Sequence, residues 1–160
     1  MREILFRGKS VFSQKFVEGS LIQYGEYCCI LPQEGVLHPM DEPYLDPEYG
    51  TFDGKAEPVD PETVGQFTGL KDKNGKRIFE GDIAKIYDAG GYSEIAVVQY
   101  GEHGSPCLFD TNAEIGFYLL FAKPGMRNSL RVNLPYWAKE ERFEVIGNAY
   151  DNPELIGGAK

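Results

Sequence analysis

Cysteine, histidine and positive charge are all scarce in this sequence of 160 residues. Three cysteines, two of them adjacent at Cys28 and Cys29, give neither a disulfide framework nor a Cys-x-x-Cys pair. Adjacent cysteines bridge each other poorly, so a reducing cytoplasm is the simplest setting for the chain. The two histidines, His38 and His103, do not form the cluster that zinc requires. His103 and Cys107 lie close in sequence, but in a Gly-Ser-Pro loop with no second pair, so no metal ligands are assigned. Sixteen Lys and Arg face twenty-five Asp and Glu, for a net charge of −9. Neutralising phosphates needs the opposite excess, which disfavours a general nucleic-acid binder. Long apolar runs are missing too. The apolar stretch Ile4-Leu5-Phe6 stops before Arg7, which fits neither a signal peptide nor a spanning helix and predicts no membrane partner.

What the chain does have is apolar and aromatic residues, 42% and 13% of the total, enough for a real core in one domain of this size. Ten Tyr and ten Phe favour strands, and nineteen Gly with ten Pro favour many short strands joined by turns. The strongest local signal is Asn74-Gly75, which predicts a type I′ hairpin turn with positive φ at both residues. Residues 66–70 and 76–79 read as its arms. Glu80-Gly81-Asp82 reads as a second tight turn, followed by a strand over 83–87.

Before this stretch, 4–6, 16–24 and 27–31 read as a β-meander forming an N-terminal part, 1–31. Between residues 32 and 60 the composition shifts to acidic and proline-rich, which opposes regular structure. At its end, Asp60 as N-cap with Pro61 and Glu62 behind it predicts a helical turn. After the central stretch, 92–100 is the clearest strand, 101–106 a loop, 115–121 a buried strand, and 130–134 an edge strand ended by Pro135. A helical turn is expected within 137–142 and a closing strand over 143–146. These elements predict an all-β fold, a small antiparallel barrel or two-sheet sandwich with at most one or two helical turns. Within one domain, 61–155 would be the core, of suspected SH3-like shape, and 156–160 a tail.

Three segments of the chain carry a resemblance. The central one is Val59-Asp60-Pro61-Glu62-Thr63-Val64-Gly65-Gln66-Phe67-Thr68-Gly69-Leu70-Lys71-Asp72-Lys73-Asn74-Gly75 followed by Ile78-Phe79-Glu80-Gly81-Asp82-Ile83. The outer two are Arg2-Glu3-Ile4-Leu5-Phe6-Arg7-Gly8 and Val145-Ile146-Gly147-Asn148-Ala149-Tyr150-Asp151-Asn152-Pro153-Glu154-Leu155. Together they resemble the YopX family of phage and prophage proteins. The resemblance implies an all-β, self-associating protein of the bacterial cytoplasm, without catalytic residues or cofactors to carry over. The Cys28-Cys29 pair and the acidic insert depart from the pattern.

Candidate sites follow from chemistry alone. Glu34, Asp41, Glu42, Tyr44, Asp46, Glu48, Tyr49 and Asp53 combine negative charge with aromatic anchors, which suits docking on a basic surface of a host or phage protein. Lys71, Lys73, Lys76 and Arg77 stud the hairpin tip, a candidate phosphate contact or a solvated turn that resists aggregation. Asp72 to Gly75 superficially matches the start of a calcium loop but lacks its later ligands. Glu80 and Asp82 are a carboxylate pair across one glycine, with turn-making as the plainer role. Cys28 and Cys29 lie in an apolar strand whose alternation would bury one thiol and expose the other. The resulting expectation is a binding protein without a catalytic site. The alternatives are a hydrolase built from scattered Asp and Glu, or nucleic-acid binding through the 71–77 tip.

Overall fold

The computed structural model describes residues 3–32, 45–46, 51–52, 56–87, 91–104, 113–122, 132–138 and 142–157. The fold is all-β, with antiparallel pairing throughout. Among the described residues no helix is long and apolar enough to cross a membrane, which says nothing about spanning by strands. The chain divides into two compact units, Met1–Phe67 and Thr68–Lys160.

The first unit contains β1 (Phe6–Ser10), β2 (Phe16–Tyr24), β3 (Tyr27–Pro32), the two-residue strands β4 (Leu45–Asp46) and β5 (Thr51–Phe52), and most of β6 (Glu57–Lys71). Gly25, at φ 57°, turns β2 back into β3, so that Tyr24 stands opposite Tyr27. β6 then lies between β1 and β3, with Val59 opposite Ser10 on one side and Cys28 on the other. The order β1-β2-β3-β6 therefore returns to β1 as a partly closed ring. Its interior holds Cys28, Ile30 and Val59, with Phe6, Val17, Leu21 and Val64 packed against them. Backbones approach closely here. A Cβ at Gly8 would come within 2.7 Å of a Val59 methyl, so no larger residue fits without displacing the core.

The helical turn expected at Asp60 is not made. Its local hydrogen bond exists, the Glu62 N–H donating to Asp60 Oδ1 at 3.0 Å, but the chain stays extended. The reason lies across the ladder: Asp60 pairs with Lys9 and Gly65 with Arg7, so both flanks are held in strand and the extra residues form a bulge. Thr63 secures that bulge by accepting the Lys9 N–H at 2.8 Å and donating to the Asp60 carbonyl at 2.7 Å. Regular structure also begins earlier than the prolines implied, at Glu57. Pro58 is tolerated because its carbonyl, not a missing N–H, is what β6 uses there, accepting from Val11 at 3.1 Å.

The second unit adds β7 (Arg77–Phe79), β8 (Asp82–Tyr87), β9 (Ser93–Gly104), β10 (Ala113–Phe121), β11 (Val132–Asn133), the helical turn α1 (Leu134–Ala138), β12 (Phe143–Asn148) and a 3-10 turn, Pro153–Ile156. Its sheet runs β11-β10-β9-β8-β12. Ala84, Ile86, Ala96, Val98, Leu119, Phe143 and Val145 share one core with Ile78 and Leu134. Some boundaries differ from expectation, the helical turn among them, which lies at Leu134–Ala138 and not within 137–142. Gly101 to Gly104 remain in the ladder with β10 instead of looping, and Leu134 leaves the edge strand to start α1, with Pro135 in its first turn where the missing N–H is harmless.

Candidate functional site

The hairpin at residues 72–76 is held by both backbone and side-chain hydrogen bonds. The expected reversal is present, but its type is not I′. Among described non-glycine residues only Gln14 has positive φ, so Asn74 stays on the negative side and Gly75 alone, at φ 81°, takes the left-handed position. The Gly75 N–H donates to the Asp72 carbonyl at 2.9 Å and the Asp72 N–H donates to the Lys76 carbonyl at 2.9 Å. That pattern is a type I turn closed by a glycine bulge. Asp72 selects it. Its buried carboxylate accepts the N–H groups of Asn74 at 2.8 Å and Lys76 at 2.9 Å on Oδ1, and that of Val145 in β12 at 3.0 Å on Oδ2. The Lys73 N–H donates to the Phe143 carbonyl at 3.0 Å, so the turn and β12 are tied twice. Oxygens occupied by three backbone N–H groups are not presented to a cation, which disposes of the calcium-loop likeness.

Beside this turn lies a small surface cluster. The Lys73 ammonium sits 2.7 Å from Glu144 Oε2 and 4.5 Å from the centre of the Tyr87 ring. The Tyr87 hydroxyl donates to the same Glu144 oxygen at 2.9 Å, and Lys85 lies 5.3 Å from the same ring. The hydrogen bond from Lys73, then that from Tyr87, holds the Glu144 carboxyl below the usual carboxylate range. The same bond to Glu144 pushes Lys73 upward. Of the four cations singled out in the sequence, Lys73 is thus engaged within the protein. Lys71 and Lys76 are exposed, and Arg77 is half-buried.

Glu80 and Asp82 make a turn rather than an exposed acid pair. Asp82 is 1% exposed and its Oδ2 accepts the Phe79 N–H at 2.8 Å. Between them Gly81, at φ 81°, donates to the Val98 carbonyl at 2.9 Å and accepts from Ala149 at 2.8 Å, with the Tyr150 ring over it. Three segments meet at that one residue.

The thiols depart from the alternation expected of them. Cys28 and Cys29 are both buried, because β3 is covered on both faces and not one. Burial pushes the Cys29 thiol up to about 11, with further repulsion from Cys28 and Glu57, and burial raises Cys28 as well. A thiol held protonated is a core residue, not a nucleophile. His103 is likewise buried, its ring 5.7 Å from that of Tyr118 and its Nε2 lying over Gly116, on a face of the β9–β10 ribbon where two glycines leave room for the rings. Tyr118 donates to Gln99 at 2.8 Å. Glu34, His38, Asp41, Glu42, Tyr44, Glu48, Tyr49, Asp53 and Cys107 lie outside the described residues. Of Asp46 only the backbone pairing of β4 is described.

One surface was missed in the sequence. The run 115–121 reads as uniformly buried, yet Leu119 is fully buried while Ile115 is 75% exposed. β8 pairs with β9 only from Ser93 to Val97 and β11 with β10 only at Tyr118 and Leu119, so among the described residues the β9–β10 ribbon continues beyond them as two strands. On one face of this outer part Tyr100 stands opposite Phe117, their rings 5.1 Å apart in an edge-on contact, with Ile115 next along the strand. Glu102 and Gly101 were the available signals, since a charge and a flexible residue opposite an apolar run mark a ribbon leaving its core.

Comparison with known proteins places these features in a family. A crystal structure of protein EF1440 from Enterococcus faecalis is similar over 98% of this chain and 99% of that one, at 21% identity and a TM-score of 0.48. No curated protein matches the sequence. The profile of the family described as YopX protein matches residues 6–157, which takes in the ring, the Asp72 turn and β12 alike. The chain belongs to the YopX family.

Proposed function

We propose that this protein acts by binding a host or phage protein, as an accessory phage or prophage product in the bacterial cytoplasm, and not by catalysis. The observation that carries the proposal is the outer β9–β10 ribbon, where Tyr100 is 53% and Ile115 75% exposed beside the half-buried Phe117. Aromatic and aliphatic side chains grouped on a strand pair, outside a well-filled core, have the composition of the central part of a protein interface. The acidic residues from Glu34 to Asp53 supply long-range attraction to a basic partner in the same reading, and self-association through the ribbon belongs to it as well. The test is affinity capture from bacterial lysate with the wild type and with a Tyr100→Ser, Ile115→Ser double variant of unchanged circular dichroism. Loss of the captured protein from the double variant is the expected result. An identical captured set would remove the ribbon from the proposal.

Nucleic-acid binding through the hairpin tip is the second reading. It keeps Lys71 and Lys76 as free-standing cations, while Lys73 is held by Glu144. Binding of this kind weakens steeply with salt, and a flat response across salt concentrations would end it. The hydrolase alternative has less to draw on, since Asp72 and Asp82 are buried and accept backbone N–H groups.

A further inference from the structure

An asparagine followed by glycine is chemically labile, because no side chain on the second residue hinders its nitrogen from reaching the asparagine side chain. Asn74 and Gly75 are both exposed at the hairpin tip, so water and hydroxide reach them. We propose that Asn74 is a latent deamidation site, held shut by the Asp72 turn and opened when β12 separates from the hairpin. The reaction needs only water and a solvent base. The base removes the Gly75 amide proton, and the nitrogen attacks Asn74 Cγ. An N–Cγ bond forms, the Cγ–Nδ2 bond breaks and ammonia leaves, giving a cyclic imide. One water then opens the ring. Attack at Cγ yields aspartate, and attack at the main-chain carbonyl yields isoaspartate, with one extra carbon in the backbone.

The folded turn opposes the first step in two ways. The proton that must be lost is already donated to the Asp72 carbonyl at 2.9 Å, which also fixes the direction of the nitrogen. The Asp72 carboxylate, bound by the neighbouring N–H groups of Asn74 and Lys76, places a negative charge beside the nitrogen that would become an anion. Both restraints lie within the turn, and β12 braces it from outside, because Asp72 Oδ2 takes the Val145 N–H and the Lys73 N–H goes to Phe143. Opening β12 therefore loosens the turn. Once reaction has occurred, closure is impaired. A new carboxylate stands beside Asp72, and the isoaspartate carbon enlarges the ring closed by the Gly75 to Asp72 bond. A reversible opening becomes a permanent one.

The experiment follows deamidation at Asn74 by peptide mass spectrometry at mildly alkaline pH, in the native protein, in the same chain unfolded in urea, and in folded Asp72→Ala. Protection by structure scales the rate by the open fraction, so the native protein should react at least about tenfold more slowly than the unfolded chain. Asp72→Ala removes the carboxylate but keeps the main-chain acceptor of the Gly75 N–H, so it should raise the rate severalfold without reaching the unfolded value. Equal rates in native and unfolded protein, or no acceleration in folded Asp72→Ala, would overturn the proposal. Should that variant fail to fold, hydrogen exchange in the wild type decides. The Gly75, Lys76 and Val145 amides should open with one common free energy, and a freely exchanging Gly75 beside a protected Val145 would sink the coupling.

Discussion

The two units solve the same problem, what to do with the edges of a sheet, in different ways. In Met1–Phe67 the strands return on themselves, so β6 has a partner on either side and Phe6, Val17, Leu21 and Val64 turn inward around Cys28, Ile30 and Val59. Among the described residues of Thr68–Lys160 the sheet is open and ends at β12 on one side. There a side chain does what a strand does in the ring, as Asp72 takes the Val145 N–H that a further strand would have used. At its other end the open sheet runs past its own support and leaves Tyr100 and Ile115 outside. Closing a ring satisfies the backbone locally, yet it too leaves apolar side chains outside, Tyr24 and Tyr27 beside the β2–β3 turn and Phe12 after β1. An open sheet requires a specific plug for its edge.

The strongest test of that contrast lies within one strand of the open sheet. Leu119 is fully buried in the core and Leu120, its neighbour on the opposite face, is 44% exposed. Leu119→Ala is expected to cost about 3 kcal/mol through lost burial and the cavity left behind, and Leu120→Ala less than about 1 kcal/mol, both read from urea unfolding. Similar losses would mean that both faces of β10 are covered at this point, and the difference between a core face and an open face would fail.

Next in size is the plug itself. Asp72→Ala leaves the Val145 and Lys76 N–H groups without their acceptor, at a cost of about 2–3 kcal/mol. If the open sheet depends on a side chain as argued, hydrogen exchange should quicken at Val145 and Lys76 while the Cys28 and Ile30 amides of the ring keep their protection. Uniform quickening in both units would break the distinction.

The ring has its own signature at high pH. The Cys29 thiol is raised from its ordinary value near 9 to about 11 by burial first and by Cys28 and Glu57 next. The folded state then binds a proton that the unfolded chain gives up, so stability falls as pH rises from about 9 to about 11, by up to about 3 kcal/mol in all. Cys29→Ala should flatten this slope in urea titrations across that range. An unchanged slope would mean that the thiol is not desolvated by the ring.

The smallest effect is expected at the surface cluster. The Glu144 carboxyl is lowered by Lys73 and Tyr87, so its contribution is present above the ordinary carboxylate range and lost as pH falls through the depressed value. Glu144→Gln should shift the unfolding midpoint slightly at low salt and not at high salt, because the pair is exposed and screened. A large, salt-independent shift would show that β12 is anchored by this pair as much as by Asp72.

Much of the chain can be read from neighbouring residues, and the reason is local. The reversals at Gly75 and Gly81 depend on backbone torsions that their own sequence favours, and the segments 16–24, 27–32 and 82–87 are strands where alternation and turn residues place them. The family signature is legible for the same cause, since it is concentrated in those turns. What lies across a strand is not written in the strand. Only the tertiary structure decided that Asp60-Pro61-Glu62 stays extended, because β1 pairs with both its flanks, and that both thiols of Cys28-Cys29 are buried. It likewise decided that Asn74 sits in a type I turn, because an aspartate two residues earlier captures amides from the turn and from β12 at once. Local torsional preference is a property of a few consecutive residues, whereas burial and hydrogen-bond satisfaction belong to whichever distant segment the fold brings alongside.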